Sequence, residues 1–256
     1  MADPILRACR KAWRIPLLLL HVLIALPITL VLMSPPVGHY RVRGMRLDHR
    51  AVRAWSRWLM WIYGLRVHAQ GEQNPGATLF VANHVSWVDI VVLHSTRMMG
   101  FVAKREIAGW PLIGWMAKRA ETIFHSRGNS ESLDDVMQEM VRRLREGHSV
   151  GAFPEGGTRN GKVLGPFHAR IFYAAVEAPA PVQPVALRYG SDGRAQATIA
   201  FAPRESFGAN MWRLLGEPAQ DVGVIFLPVI PPGDVDGRRR IAELARERIA
   251  EALGQA

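Results

Sequence analysis

Cysteine is almost absent. Cys9 stands alone among 256 residues, so no internal disulfide can form, and the chain suits a reducing compartment or a cytoplasmic membrane face. Acidic residues are also scarce, 22 Asp and Glu against 32 Lys and Arg, and the formal charge of +10 calls for an anionic partner. Nucleic acid, anionic lipid, a coenzyme A polyphosphate and an acidic carrier protein would each satisfy that charge. No nucleic-acid recognition motif or groove-entering basic helix accompanies it, so nucleic acid is not expected. The nine His show no zinc-ligand spacing, and no metal is expected. Internal repeats and low-complexity stretches are missing as well.

What the chain does have is apolar residues, 49% of the total, enough for one good core with an appendage. Ile15 to Met33 is nearly continuous apolar sequence, interrupted by Pro16, His21, Pro27 and Thr29. As one helix it would reach roughly 28 Å, just enough to cross the hydrocarbon of a bilayer. Arg7, Arg10, Lys11 and Arg14 precede it and Arg41, Arg43, Arg46, Arg50 and Arg53 follow. Both flanks are basic, so the charge rule assigns no direction. A kink or re-entrant bend at Pro27 fits as well as a simple span, and both basic flanks are expected to meet anionic lipid. No A-x-A site precedes Ser34-Pro35-Pro36, so the segment is expected to be kept rather than cleaved. Trp55, Trp58 and Trp61 then sit among Arg53 and Arg57, a mixture suited either to lipid headgroups or to packing on a soluble domain. Residues 1–64 read as a membrane-binding segment and 65–256 as the catalytic unit.

From Leu65 onward the pattern is α/β, a mixed sheet flanked by helices. Strands are expected near Arg66–Ala69, Ala77–Ala82, Gly100–Ala103, Glu121–Phe124, Ser149–Phe153, Val182–Leu187, Gln196–Phe201 and Val222–Leu227. Helices are expected near Trp87–Ser95, Lys104–Lys118, Glu131–Arg145, Ala169–Glu177 and Arg238–Leu253.

Two motif-like strings fail on context. Gly147-His148-Ser149-Val150-Gly151 matches G-x-S-x-G, yet a helix precedes Ser149 and a strand follows, the reverse of a nucleophile elbow. Gly156 to Lys162 matches G-x-x-x-x-G-K, but Val163 stands at the Mg²⁺-ligand position and Gly165-Pro166 blocks a helix.

The stretch Leu79 to Ile90 is different. An apolar strand-like run stops at Asn83-His84, and Ser86 with Asp89 forms an S-x-x-D helix start. His84 therefore falls on a strand-to-helix loop with a carboxylate five residues on, the pairing a histidine needs to take a proton from a hydroxyl. On these residues alone, a helix-capping Asp89 and an ordinary loop His84 account for the pattern too.

Asn83-His84-Val85-Ser86-Trp87-Val88-Asp89 resembles the N-H-x-S-x-x-D block of the glycerolipid acyltransferases, the lysophosphatidic acid acyltransferase family. Phe153-Pro154-Glu155-Gly156 resembles the family's F-P-E-G block. Between them, Lys104-Arg105-Glu106 resembles the K-x-E segment and Phe124 to Arg127 the F-x-x-R block, and Val182 to Ala186 resembles the apolar-Pro block. The blocks are in family order over roughly residues 79–188. After F-P-E-G the chain reads Gly157-Thr158-Arg159-Asn160-Gly161 where T-R-S is common, which displaces Arg159 by one residue. Small hydroxylated residues at this place occur in relatives that act on ornithine lipids.

The resemblance implies transfer of a fatty acyl chain from acyl-CoA or acyl carrier protein, as co-substrate rather than cofactor, to a lysophospholipid hydroxyl. The acceptor it implies first is 1-acylglycerol-3-phosphate, with a lyso-ornithine lipid as the alternative. It further implies His84 as base, Asp89 as its orienter, and Arg127, Glu155, Gly156, Thr158 and Arg159 at the acceptor site. An inner-membrane enzyme with its catalytic domain on the cytoplasmic side is the expectation, against a non-catalytic membrane-anchored binding protein on the same fold.

Overall fold

The computed structural model describes residues 3–111, 113–126, 130–190, 193 and 195–255. The chain opens with α1 (Pro4–Leu20), widens into a π turn (His21–Ala25) and continues as α2 (Leu26–Leu32). Asp3 caps the start by accepting the Ile5 N–H at 2.9 Å. The helical run of 29 residues is long and apolar enough, by length and composition, to cross a membrane. It begins well before the expected Ile15.

Pro27 has no N–H to give and its ring crowds the preceding turn. The π turn immediately before it absorbs that crowding, and the Thr29 hydroxyl donates to the Ala25 carbonyl at 2.7 Å. The distortion is a local widening, and the helix does not turn back on itself there.

A small hairpin, β1 (Arg41–Val42) with β2 (Met45–Arg46), leads into α3 (Leu47–Ile62), which packs beside α1 and α2. Both ends of the α1–α2 run touch the globular body. Arg14 is buried, donating to the carbonyls of Leu215 at 3.1 Å and Glu217 at 2.7 Å. Arg7 pairs with Glu217 and Arg10 donates to the Gly216 carbonyl. At the far end Met33 clusters with Val52, Met98 and Ala120, and its carbonyl accepts from Arg119. Three cations expected to meet lipid therefore serve as a docking seam, in which Arg10 and Arg14 donate to carbonyls and the half-exposed Arg7 adds a solvent-screened ion pair to Glu217.

Next come β3 (Leu65–Gln70), β4 (Leu79–Ala82), α4 (Val88–Thr96), β5 (Gly100–Lys104), α5 (Ile113–Arg119), β6 (Ile123–His125) and α6 (Ser130–Arg145). They are followed by β7 (Val150–Ala152), α7 (Tyr173–Glu177), β8 (Val182–Tyr189), α8 (Gln196–Ile199), α9 (Phe207–Leu214), β9 (Gln220–Phe226) and α10 (Gly237–Ala252). One seven-stranded sheet runs in the order β3-β9-β8-β4-β7-β5-β6. β8, β4, β7, β5 and β6 are parallel, and β9 joins β8 antiparallel with β3 parallel to it.

Period-2 alternation splits the core. Phe80, Ala82, Val185, Leu187 and Tyr189 face one cluster with Val88, Val92 and Leu93 of α4. Leu79, Val81 and Val182 face the other, with α6, α7 and α10. The helices after adjacent β4 and β7 thus lie on opposite faces, which opens a crevice at the carboxyl ends of those two strands.

Two expected elements differ. Gln196–Phe201 is not a strand: the Gln196 amide donates to the Leu187 carbonyl and accepts from the Tyr189 N–H, so the chain turns into α8 against the end of β8. Lys104–Lys118 is not one helix either. A 3₁₀ turn over Arg105–Gly109 ends at Trp110, before Pro111, and α5 starts at Ile113. Proline disfavours the helical conformation in the residue before it.

Candidate active site

His84 lies in the crevice, on the loop that leaves β4. Asn83 sets the loop's course. Its side-chain amide accepts from the Leu187 N–H at 2.8 Å and donates to the Leu187 carbonyl at 3.0 Å, continuing the β4–β8 ladder where the β4 backbone stops.

Asp89 is fully buried in the first turn of α4. Its Oδ2 accepts from His84 Nδ1 at 2.7 Å and from the backbone N–H groups of Val85 at 2.7 Å and Ser86 at 2.9 Å. Ser86 Oγ accepts the Val88 N–H at 3.2 Å, so the S-x-x-D string caps the helix and orients the imidazole at once. A carboxylate can only accept, so Nδ1 carries the hydrogen, and in the neutral imidazole the lone pair is then on Nε2.

The ring is fixed from a second side. Phe153, at the exit of β7, stacks on it at 3.9 Å between centroids and 13° between planes, and Phe101 stacks behind Phe153 at 5.5 Å. One hydrogen bond and one stacking contact leave the imidazole little freedom to rotate.

Glu155 faces inward. Its Oε1 accepts the backbone N–H of His84 at 2.8 Å and its Oε2 that of Gly165 at 2.9 Å. The approach is tight enough that a Cβ at Gly165 would stand 2.8 Å from Oε2. Burial raises the Glu155 carboxyl above the ordinary range, and the two backbone donors with the nearby His84 and Arg159 charges pull partly the other way. Arg159 closes the loop by donating its backbone N–H to the His84 carbonyl at 2.9 Å, while its half-exposed guanidinium lies 3.8 Å from Glu155 Oε2. Gly156 adopts φ +72, and a Cβ there would press on the His168 ring at 3.1 Å, so glycine is required.

Of the residues singled out in sequence, His84, Asp89, Glu155, Gly156 and Arg159 come together here. Thr158 is exposed on the same loop. Arg127 lies outside the described residues. Ser149 sits before β7, at the opposite end of the sheet, with its hydroxyl on the Gly76 carbonyl. Among the described residues no group of His, Cys, Asp and Glu is placed to hold a metal ion.

One member of the site had no local signal. Tyr189, at the end of β8, donates its hydroxyl to Asp89 Oδ1 at 2.5 Å from a fully buried position. Only the alternation Val185, Leu187, Tyr189 could have placed it on the α4 side.

A family model described as Acyltransferase matches residues 64–188. A lyso-ornithine lipid O-acyltransferase of Pseudomonas aeruginosa is 36% identical over 207 residues, covering 81% of this chain and 80% of that protein. A 1-acyl-sn-glycerol-3-phosphate acyltransferase of Neisseria gonorrhoeae is 32% identical over 187 residues, 73% of each. The crystal structure of the acyltransferase PlsC from Thermotoga maritima shares the fold, with a TM-score of 0.71 at 17% identity over 96% of this chain and 97% of that one. By sequence relatives, family model and fold together, the chain belongs to the acyltransferase family and is a glycerolipid acyltransferase of the PlsC type.

Proposed function

We propose that this enzyme moves a fatty acyl chain from an acyl thioester to the free hydroxyl of a lysolipid, with His84 Nε2 as the general base. The observation that carries the reading is the His84 Nδ1 bond to buried Asp89, which leaves Nε2 free at the crevice. Nε2 takes the hydroxyl proton as the oxygen attacks the thioester carbonyl. When the tetrahedral intermediate collapses, the carbon–sulfur bond breaks and His84 returns the proton to the leaving thiolate. Asp89 stabilises the imidazolium in between. Acyl-CoA and acyl carrier protein both present such a thioester, and the basic charge of the chain suits either donor.

The acceptor assigned first is 1-acylglycerol-3-phosphate, whose phosphate would meet Arg159 and, by the family resemblance, Arg127. A specific observation favours a second acceptor, a lyso-ornithine lipid. The Arg159 guanidinium is already 3.8 Å from the buried Glu155 carboxylate, which offsets part of the charge a phosphate would need. The lyso-ornithine lipid O-acyltransferase of Pseudomonas aeruginosa is also 36% identical to this chain.

The setting is a membrane surface. Because α1 and α2 touch the globular body at both ends, the apolar run lies along the enzyme with Leu19, Leu20, Leu23, Ile24, Ile28 and Val31 exposed. Such a helix lies in the interface rather than across it. Trp58 and Trp61 of α3 extend that exposed face. The enzyme then works at the inner membrane from its cytoplasmic side. The test is purified protein with one labelled acyl thioester and both lysolipids. Faster acylation of lysophosphatidic acid supports the first acceptor. Faster acylation of the lyso-ornithine lipid replaces it with the second, and acylation of neither overturns the reading.

A further inference from the structure

We propose that Tyr189 is a positioning residue of the reaction, its hydroxyl holding the Asp89 carboxylate in the orientation and charge state that aim His84 at the acceptor. The inference rests on the reading of His84 and Asp89 as base and orienter.

The two oxygens of Asp89 are unequally served. Oδ2 accepts three bonds, from His84 Nδ1, Val85 N–H and Ser86 N–H, all between 2.7 and 2.9 Å. Oδ1 has the Tyr189 hydroxyl, at 2.5 Å, the short range expected of O–H to carboxylate. Asp89 and Tyr189 are both fully buried, so bulk water does not reach either side chain. Without the hydroxyl, Oδ1 would be a buried charged oxygen short of a donor, an expensive state that the carboxylate could relieve by rotating or by binding a proton more tightly.

Tyr189 is built in to stay. β8 pairs with β4 from Val182 to Val185 and then runs four residues further, past the end of β4, carrying Tyr189 to the start of α4. Its backbone N–H is held by Gln196 Oε1 at 3.2 Å. Burial, then the Asp89 charge and the hydrogen bond, raise the phenol well above its ordinary range, so it remains a donor across any assay range.

The functional consequence follows from coupling along the chain Tyr189–Asp89–His84. A carboxylate that loses one donor becomes a stronger acceptor for the His84 N–H and stabilises imidazolium more. The base is then blocked by its proton at a higher pH. Glu155 and Arg159, the charged groups facing His84 from the loop after β7, and His168 beside Gly156 are untouched by a change at Tyr189.

The experiment compares wild type, Tyr189→Phe and His84→Ala in detergent micelles, with one acyl thioester and the preferred lysolipid, reading kcat, KM and the pH–kcat profile. Tyr189→Phe is expected to lower kcat at neutral pH about tenfold, since a hydrogen bond to a charged group carries at least that much. Both KM values should stay within about twofold, as no substrate contact is removed. The acid limb should move up by about half a pH unit or more. Incorporation of 3-fluorotyrosine at 189, which keeps the ring and makes the hydroxyl a stronger donor, should move the limb down, and decides alone should the Phe variant not fold. Wild-type kcat with an unmoved acid limb in Tyr189→Phe, while His84→Ala is inactive, overturns this inference and spares the base reading. A loss of kcat with an unmoved limb also overturns it, leaving Tyr189 as packing only. Normal turnover by His84→Ala overturns the base reading itself.

Discussion

Glu155 stands on the acyltransferase block where a substrate contact was expected, yet both of its oxygens accept backbone N–H groups, from His84 and Gly165. It ties the loop after β4 to the loop after β7. A glutamine could accept only one of these bonds with its oxygen and would turn an NH₂ toward the other N–H. Glu155→Gln is therefore expected to destabilise the fold by about 1–3 kcal/mol, measured by urea unfolding, and to lower kcat more than it raises the acceptor KM. The pH dependence has a definite sign. Burial raises the folded-state value of Glu155, so its contribution is fully present below the unfolded carboxyl value and is lost as pH rises through the raised one. Relative to wild type, Glu155→Gln should lose less stability as pH rises above the unfolded carboxyl value, and a parallel pair of stability curves would refute the assignment. Residues of this kind were only partly legible in sequence. His84, Asp89 and Glu155 stand in short strings with a local reading, whereas Tyr189 meets Asp89 across 100 positions and carries no motif.

At the scale of elements, α9 locks the crevice from the side. Trp87 Nε1 donates to Asn210 Oδ1 at 2.9 Å, and the Trp87 ring meets Phe207 edge-on at 5.7 Å, with Trp110 beyond it at 5.2 Å. Arg213 holds α9 in place, donating to Glu205 Oε1 at 2.8 Å and to the carbonyls of Thr198 at 2.6 Å and Ala200 at 2.8 Å. Arg213→Ala strands these acceptors and should cost about 2–4 kcal/mol in urea unfolding. The Arg213 hydrogen bonds hold the Glu205 carboxyl down to about 2, so that stabilisation is present above the unfolded carboxyl value and lost as pH falls through the folded one. The difference between wild type and Arg213→Ala should therefore shrink in acid. An undiminished difference near pH 2 would contradict this account. Strands β4, β5, β7 and β8 were legible because buried parallel strands read as apolar runs bounded by turns. Gln196–Phe201 carries the same kind of run and misleads, since what bends it into α8 is a side-chain amide paired with the end of β8.

Over the whole molecule, the apolar run and the catalytic body form one object. The basic flank before Ile15 reads in sequence as a lipid contact, but Arg7, Arg10 and Arg14 reach carbonyls and a carboxylate of residues 215–217. Local charge could not reveal this, because the acceptors lie about two hundred positions away. The face left outward is apolar, and it should govern membrane binding. Wild-type protein is expected to stay with anionic vesicles through a high-salt wash, whereas the double change Leu23→Glu with Ile28→Glu should release most of it on flotation. Full retention of that variant would contradict the embedded reading. α9 connects this surface with the site, because Lys11 of α1 lies 4.3 Å over the Trp212 ring, and Phe207 on the same helix reaches Trp87.

The proposed function depends first on His84, oriented by Asp89, as the base in acyl transfer from a thioester to a lysolipid. The most direct measurement is the turnover of purified wild type and His84→Ala with a labelled acyl thioester and a lysolipid in micelles, at matched folding by circular dichroism. General-base catalysis of this kind is worth about 10² to 10⁴ in rate. Labelled diacyl product from wild type and a loss of that size in His84→Ala are expected, whereas equal turnover by the two proteins would remove His84 as the base.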